Sequence, residues 1–213
     1  MPRLMGMEVE ALCALGLYGH NTYCEQDTWP NWEVGHYLLA RLLWGERAET
    51  ALADYLKMRF GACSGDIDAY LVLLENAVRR LYSGHGRRNF AAVEQLGAGV
   101  VRDCRRQLEQ ALQHLAAATV TPSQPLLQCW RTAVEYALAD LDLRLAAAEA
   151  SAVPEAYARW REVVLSPGMA PGRGVLLAED YGPGGAALLH LHEEELRPLL
   201  AAGRGGDAPS DSG

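Results

Sequence analysis

The stretch from Pro125 to Leu145, PLLQCWRTAVEYALADLDLRL, has the clearest helical pattern in the sequence. Its apolar side chains recur at intervals of three and four residues, which places them on one face of a helix. These side chains are Leu126, Trp130, Val134, Leu138, Leu141 and Leu145. Pro125 suits a first turn, where its missing N–H would have no helical partner. The stretch therefore predicts a long amphipathic helix with a buried face that includes Trp130.

The same period continues on both sides of this stretch. Helices are predicted over about residues 31–43, 46–58, 66–81 and 100–115, and a shorter one containing Trp160 begins at Pro154. Gly61 ends one helix, and Trp44 is expected to plug the base of another. Antiparallel helices joined by short breaks bury their apolar faces against one another. The sequence therefore predicts a mainly α protein built around a helical bundle.

One short segment near the N-terminus departs from the helical pattern. Residues 15–18 are apolar with Gly16 among them and predict a buried strand, whereas residues 7–12 predict the end of a preceding helix. Residues 21–31 are polar and aromatic and predict a loop, and Asn31 is the expected N-cap of the next helix. Strand, loop and helix in this order predict a βα unit.

The loop after the predicted strand contains a dense group of side chains of the types that bind sugars. They are Tyr18, His20, Asn21, Tyr23, Glu25, Asp27, Trp29 and Trp32. Sugar rings stack their C–H faces on aromatic rings, and their hydroxyls bond to carboxylates and amides. In a parallel barrel the active site lies at the C-terminal ends of the strands. We therefore expect a carbohydrate site here, with Tyr18, Asn21, Tyr23, Glu25 and Trp29 as its substrate-binding residues.

Three segments carry a resemblance to a known family: LGLYGHNTYCE at residues 15–25, Trp29-Pro30, and YLLARLLW at residues 37–44. Together they resemble the eighth strand and helix of hexosaminidase-type (β/α)8 barrels. They are also similar to bacterial glycoside-hydrolase-like proteins related to hexosaminidases and α-glucuronidases, in which a helical region follows the barrel. Residues 55–61, YLKMRFG, would open that region here. The resemblance covers about residues 12–75.

The resemblance implies a role for Glu25, which would hold sugar hydroxyls, and for Tyr23, which stands where the family usually has Trp. It also implies that the catalytic carboxylates come from earlier barrel strands, which this sequence lacks. Glycoside cleavage needs an acid and a partner group. We therefore assign no catalytic residue and expect the chain to be inactive unless a barrel completes it.

The expected fold is thus mainly α: the last βα unit of a (β/α)8 barrel, followed by an antiparallel helical bundle. The expected divisions are residues 1–45 for the barrel-end unit, 46–165 for the bundle, and 166–213 for a Gly/Pro-rich linker and a largely disordered tail. The expected function is that of the C-terminal portion of a glycoside-hydrolase-like protein that binds or acts on carbohydrate. The alternatives are a non-catalytic helical scaffold or partner-binding module, and a truncated product without a function.

Charge and composition disfavour several other classes. A formal net charge of −8 and a pI near 5.2 disfavour nucleic-acid binding, and no apolar run is long enough to span a bilayer. No signal peptide is evident, so a cytoplasmic location is expected, although a parent protein could be secreted. The five cysteines are scattered without a CxxC pair, and most are expected to be buried thiols.

No metal site or cofactor is assigned from the sequence. His190 and His192 precede three glutamates, but the two imidazoles would share a face only on a strand. The expected partners are a carbohydrate and either a barrel-bearing chain or a second copy of this chain. The expected protein contact surface is formed by Leu15, Leu17, Leu39 and Leu43.

Overall fold

The computed structural model describes residues 2–16, 29–81, 96–118, 123–169, 197–198 and 200–201. Across these residues the chain is helical, with short turns between helices and no strand. The helices of the described part are α1 (Pro2–Ala14), α2 (Trp29–Leu43), α3 (Ala48–Phe60), α4 (Ser64–Leu81), α5 (Ala98–Ala117), α6 (Gln124–Glu149) and α7 (Val153–Val164). Short 3-10 helices lie at Gly61–Cys63 and Pro167–Met169. The prediction of a mainly α protein is confirmed.

The helices pack mainly on their neighbours in the chain. α1 pairs with α2, and α3 packs on both. α4 and α5 form the most extensive helix pair, α5 packs on α6, and α6 also reaches α2. α7 folds back onto α6. α6 therefore contacts helices from both the N-terminal and the C-terminal part of the chain: α2, α5 and α7.

A large hydrophobic cluster takes side chains from α1 through α6. Aromatic rings form a continuous series through it: Tyr37 lies 5.2 Å from Tyr55, Tyr55 lies 6.0 Å from Phe60, and Phe60 lies 5.8 Å from Trp130. Tyr70 stacks on the same indole at 5.4 Å. Because these rings come from four helices, the series ties α2, α3, α4 and α6 together.

A second, smaller cluster lies between α6, α7 and the turn at Pro167–Met169. Trp160 is its largest member and is fully buried, and Met169 is buried beside it. Leu143 supplies the α6 side of this cluster. α6 therefore contributes to both clusters.

The predicted helical pattern matches the described helices closely. Trp130 and Trp160 are buried as expected, and Pro125 lies in the first turn of α6. The predicted helix over residues 31–43 exists, but it begins at Trp29, so the assignment of Asn31 as its N-cap is wrong. Gly61 is the C-cap of α3, as predicted.

The predicted strand does not begin where the sequence suggested. α1 runs to Ala14, and Leu15 and Gly16 form a turn in which Leu15 is 78% exposed. Gly16 has a φ of 79°, the left-handed conformation that commonly ends a helix, and its N–H donates to the carbonyl of Cys13 at 2.9 Å. Glycine at this point therefore stops a helix. Residues 17–18, the rest of the predicted strand, lie outside the described residues.

Two expectations for apolar side chains in or just after α2 are also wrong. Trp44 does not plug the base of a helix, because its side chain is 91% exposed. Leu39 does not lie on a contact surface, because it is buried in the large cluster on the inner face of α2. Leu43 and Leu15 are exposed, and Leu17 lies outside the described residues.

The predicted division at residue 45 stays a prediction. The large cluster contains side chains from both sides of that point, including Val9 and Leu38 before it and Leu56 and Leu108 after it. The predicted linker over residues 166–213 is described only at its start and at a few later positions.

Candidate functional site

The residues predicted to bind a sugar fall almost wholly outside the described part of the chain. Tyr18, Asn21, Tyr23 and Glu25 belong to residues 17–28, which the structure does not describe. Trp29 is the first residue of α2, and only its place in that helix is described. The assignment of these five residues therefore stays a prediction.

Near the start of α2, a polar cluster joins α2 to α3. Oε1 of Glu33 accepts hydrogen bonds from the Tyr55 hydroxyl at 2.9 Å and from Nε of Arg59 at 2.9 Å, while Oε2 lies 3.5 Å from Nη2 of Arg59. Burial, followed by the bond to Glu33, raises the pKa of Tyr55 well above its usual range, so its hydroxyl remains a donor. Both carboxylate oxygens of Glu33 are thus engaged, and the cluster positions helices rather than offering a free base.

The same cluster is anchored to α6. Ser123, fully buried at the start of that helix, donates its hydroxyl to the backbone carbonyl of Arg59 at 3.1 Å. The carbonyl lies in the last turn of α3, where acceptors lack helical partners. This bond fixes the end of α3 against the start of α6.

A second carboxylate, that of the buried Glu75 in α4, binds the first turn of α1. Its Oε1 accepts the backbone N–H of Arg3 at 2.8 Å, and its Oε2 lies 3.5 Å from Nη1 of the same residue. Nη2 of Arg3 bonds to Asp68. A nearly buried carboxylate is stabilised by a helix N-terminus and a guanidinium, which offset its loss of solvation.

A cavity of about 620 Å³ opens beside this ion pair, between α1, α3 and the start of α4. Its larger apolar lining residues include Met7, Leu52 and Leu56. Its charged lining residues are Arg3, Glu10, Glu49 and Asp68. Volumes of this order are typical of small-molecule sites. Within the described part of the chain, this cavity is the best candidate for a ligand site.

An Asp–His pair joins the start of α4 to the end of α5. Nδ1 of His114 lies 3.0 Å from Oδ1 of Asp66, and both side chains are partly exposed. An Asp–His pair can orient a general base, but a hydroxyl or thiol must then bond to the imidazole. Among the described residues, Asp66 is the hydrogen-bond partner of this ring. The pair therefore has the geometry of a link between two helix ends.

The thiols and the metal-ligand types give no chemical site in the described residues. Burial raises the pKa of Cys129 to about 11, and that of Cys104 is also raised chiefly by burial, so neither favours the reactive thiolate. Cys13 is exposed and Cys63 is half-buried, so the expectation of buried thiols holds for two of the four described cysteines. No group of three His, Cys, Asp or Glu side chains suited to a metal occurs in the part of the chain that is described. His190 and His192 lie outside it.

Comparison of the chain with family models, curated proteins and solved structures finds no match. The resemblance to hexosaminidase-type barrels therefore rests on the motif residues themselves. None of the described helices combines the length and the apolar character that crossing a membrane requires.

The cavity and the Glu33 cluster were not predicted from the sequence. Tyr55 and Arg59 are four residues apart and share a helix face, which is a signal that could have paired them. Glu33 and Glu75 give no local signal, because each binds a residue far away in the chain.

Proposed function

We propose that this chain is the helical C-terminal portion of a glycoside-hydrolase-like protein, in which it binds carbohydrate and supports the barrel. The observation that carries the proposal is the run of motifs at residues 15–25, 29–30 and 37–44, continued at residues 55–61. The last two segments lie on or next to described helices, α2 and α3, which is consistent with a helical region following a barrel helix.

The burial pattern along residues 38–44 is compatible with this proposal. Leu38 and Leu42 face the chain's own core, whereas Leu43 and Trp44, at the end of the same motif, face solvent. An exposed indole next to an exposed leucine marks a surface suited to a partner. In the proposal, a barrel covers this end of α2.

The chemistry proposed for the site is recognition of a sugar. Glu25 would accept hydrogen bonds from sugar hydroxyls, Asn21 would pair with a further hydroxyl, and Tyr23 or Trp29 would stack on the ring. Cleavage would need a second group across the glycosidic bond from an acid. The proposal therefore assigns binding to this chain and catalysis to the barrel.

The test is calorimetric titration of the purified chain with aryl glycosides, including N-acetylhexosaminides and glucuronides, together with an assay of aryl release. We expect binding of at least one glycoside, loss of that binding in Glu25→Gln, and no hydrolysis by the chain alone. Glu162→Gln is the matched control, because Glu162 is exposed on α7. Absence of binding across the panel, or binding that is unchanged in Glu25→Gln, would contradict the proposal.

A second candidate function is that of a non-catalytic module that binds a protein partner, either a barrel-bearing chain or a second copy. The exposed Leu43 and Trp44 favour it. Light scattering over a range of concentrations tests self-association. We expect the apparent mass of the wild-type chain to rise with concentration and that of Trp44→Ser to stay at the value of a monomer. A monodisperse wild-type monomer would exclude the second copy as the partner.

A further inference from the structure

The cavity beside α1 is lined by none of the residues proposed to contact the sugar. α1 forms one wall with Arg3, Met7 and Glu10, and α3 forms the other with a face that includes Ala48 and Leu52. Its two ends are set by contacts across it. At one end Glu10 meets the start of α3, and at the other Arg3 meets Asp68 in α4. The cavity therefore has one charged group near the start of α3, another near α4, and apolar side chains between them.

At the α4 end, the cation is already paired. The Arg3 guanidinium bonds to Asp68 and lies 3.5 Å from the nearly buried carboxylate of Glu75. A ligand anion would have to compete with both carboxylates for one guanidinium. This end is therefore poorly suited to binding a carboxylate or a phosphate.

At the α3 end, the carboxylates are weakly paired. Oε1 of Glu10 accepts a long bond of 3.4 Å from the backbone N–H of Ala48, and Oε2 of Glu10 has no hydrogen bond to the described residues. Glu49 pairs with Arg47 at 3.0 Å, but both side chains are well exposed, so water screens this pair strongly. Carboxylate oxygens at this end are therefore available to a ligand cation.

The overall balance of the lining also favours a cation. Three carboxylates line the cavity against one guanidinium, and the chain as a whole has a formal net charge of −8. Between the charged ends, Leu52 and Leu56 form a buried apolar floor, and Met7, with 59% of its surface exposed, lines the same cavity from α1. A flexible thioether adapts readily to an apolar ligand body.

We propose that this cavity binds a small organic cation in which an ammonium group is joined to an apolar body. The ammonium lies between Glu10 and Glu49, and the body covers Leu52 and Leu56 beneath Met7. Binding removes exposed surface of Met7 from water and gives Glu10 a full ionic partner. This inference does not depend on the carbohydrate proposal, because none of the residues proposed to contact the sugar lines the cavity.

Three probes with the same body test the charge preference: 4-phenylbutylammonium, 4-phenylbutyrate and 4-phenylbutanol. Each is titrated into the full chain and followed by calorimetry and by the NMR signal of the Met7 methyl group. We expect the ammonium to shift that signal and to bind at least about fivefold tighter than the other two, a difference of about 1 kcal/mol, which is the most that an exposed ion pair contributes. Equal or tighter binding of the carboxylate, or no shift with any probe, would overturn the proposal.

Variants locate the site. Glu10→Gln keeps an oxygen that accepts the Ala48 N–H but removes the charge, so we expect about fivefold weaker binding of the ammonium and unchanged binding of the alcohol. Glu162→Gln on α7 should change neither. Ala53→Trp fills the cavity from an exposed position of α3 and should abolish binding of the ammonium while the circular dichroism of the chain is retained. Binding of the ammonium that survives both Glu10→Gln and Ala53→Trp would show that the cavity is not its site.

Discussion

The two hydrophobic clusters are built on different scales. The large cluster takes side chains from all of the helices α1 through α6 and contains a continuous series of aromatic rings. The small cluster holds α7 and the following turn against the C-terminal half of α6, and its largest side chain is a single buried indole, Trp160. The link from α6 to α7 contains two alanines in the left-handed region, Ala150 with a φ of 48° and Ala152 with a φ of 49°. Alanine is strained in that region. We infer that α7 separates from the fold before the large cluster opens.

The charged contacts of α7 add little to its attachment. Nη1 of Arg159 lies 3.9 Å from Asp142 of α6, and the Arg159 side chain is mostly exposed. Asp142 has a closer partner in Arg105, which bonds to it from α5. Exposed ion pairs of this length are worth at most about 1 kcal/mol. The attachment of α7 therefore rests on Trp160 and its apolar neighbours.

The largest expected effect is the loss of Trp130, at the meeting point of Phe60 and Tyr70. Trp130→Ala leaves a cavity in the large cluster, and we expect it to lower the free energy of unfolding by about 3–5 kcal/mol. Urea denaturation followed by circular dichroism measures this change. A loss below about 1 kcal/mol would show that the large cluster does not depend on its aromatic series.

Trp160→Ala sharpens the comparison, because it removes an equally large side chain from the small cluster. We expect α7 amides to exchange hydrogen rapidly while the amides of α4 and α5 keep their protection. Mass-spectrometric hydrogen exchange resolves these helices. If protection falls equally in α4, α5 and α7, the two clusters unfold as one unit and the inferred order is wrong.

A smaller effect is expected at Tyr55, whose hydroxyl bonds to Glu33 inside the large cluster. Tyr55→Phe removes one buried hydrogen bond and should destabilise the chain by about 1 kcal/mol, since Glu33 keeps its bonds to Arg59. Tyr37→Phe is the comparison variant: it removes a hydroxyl that accepts from the partly exposed Arg41, and it should destabilise less. A larger loss in Tyr37→Phe would contradict this ranking.

The smallest expected effect lies in the link to α7. Ala152→Gly relieves the strain of a left-handed alanine, but it also increases the conformational entropy of the unfolded chain. We therefore expect a net gain of about 0.5 kcal/mol in the free energy of unfolding. Ala148→Gly, in the last turns of α6, has no strain to relieve and should destabilise by a similar amount. The midpoint temperature of thermal unfolding should therefore rise in Ala152→Gly and fall in Ala148→Gly.

The helices could be predicted from the sequence because their periodicity is local. The stripe from Leu126 to Leu145 and the glycine after Phe60 each act within a few turns, and both are found as predicted. The predicted start of the strand was wrong because a short apolar run before a glycine fits either a strand or the end of a helix. Here the helix α1 continues to Ala14. The prediction that Trp44 is buried was wrong because burial depends on which helices meet, and Trp44 lies beyond the last turn of α2.

The candidate sites were less accessible to sequence analysis. The Glu33 cluster and the cavity depend on side chains brought together from separate helices, and no local pattern marks Glu10 or Glu33. The sugar-binding residues around Glu25 were proposed from residue types and from a resemblance, and they stay a prediction because they lie outside the described residues. Side-chain chemistry alone therefore identified a segment, but not a geometry.

The bond from the Arg3 N–H to Glu75 has a consequence for the order in which the helices form. The two residues are 72 positions apart, whereas α4 and α5, which form the most extensive pair, are close neighbours in the chain. Contacts between distant residues form late, because a long loop must close before they are made. The Arg3 N–H in the first turn of α1 therefore gains its acceptor, Glu75, only after α4 has packed against α1. We expect α1 to be the last of the N-terminal helices to become structured during folding.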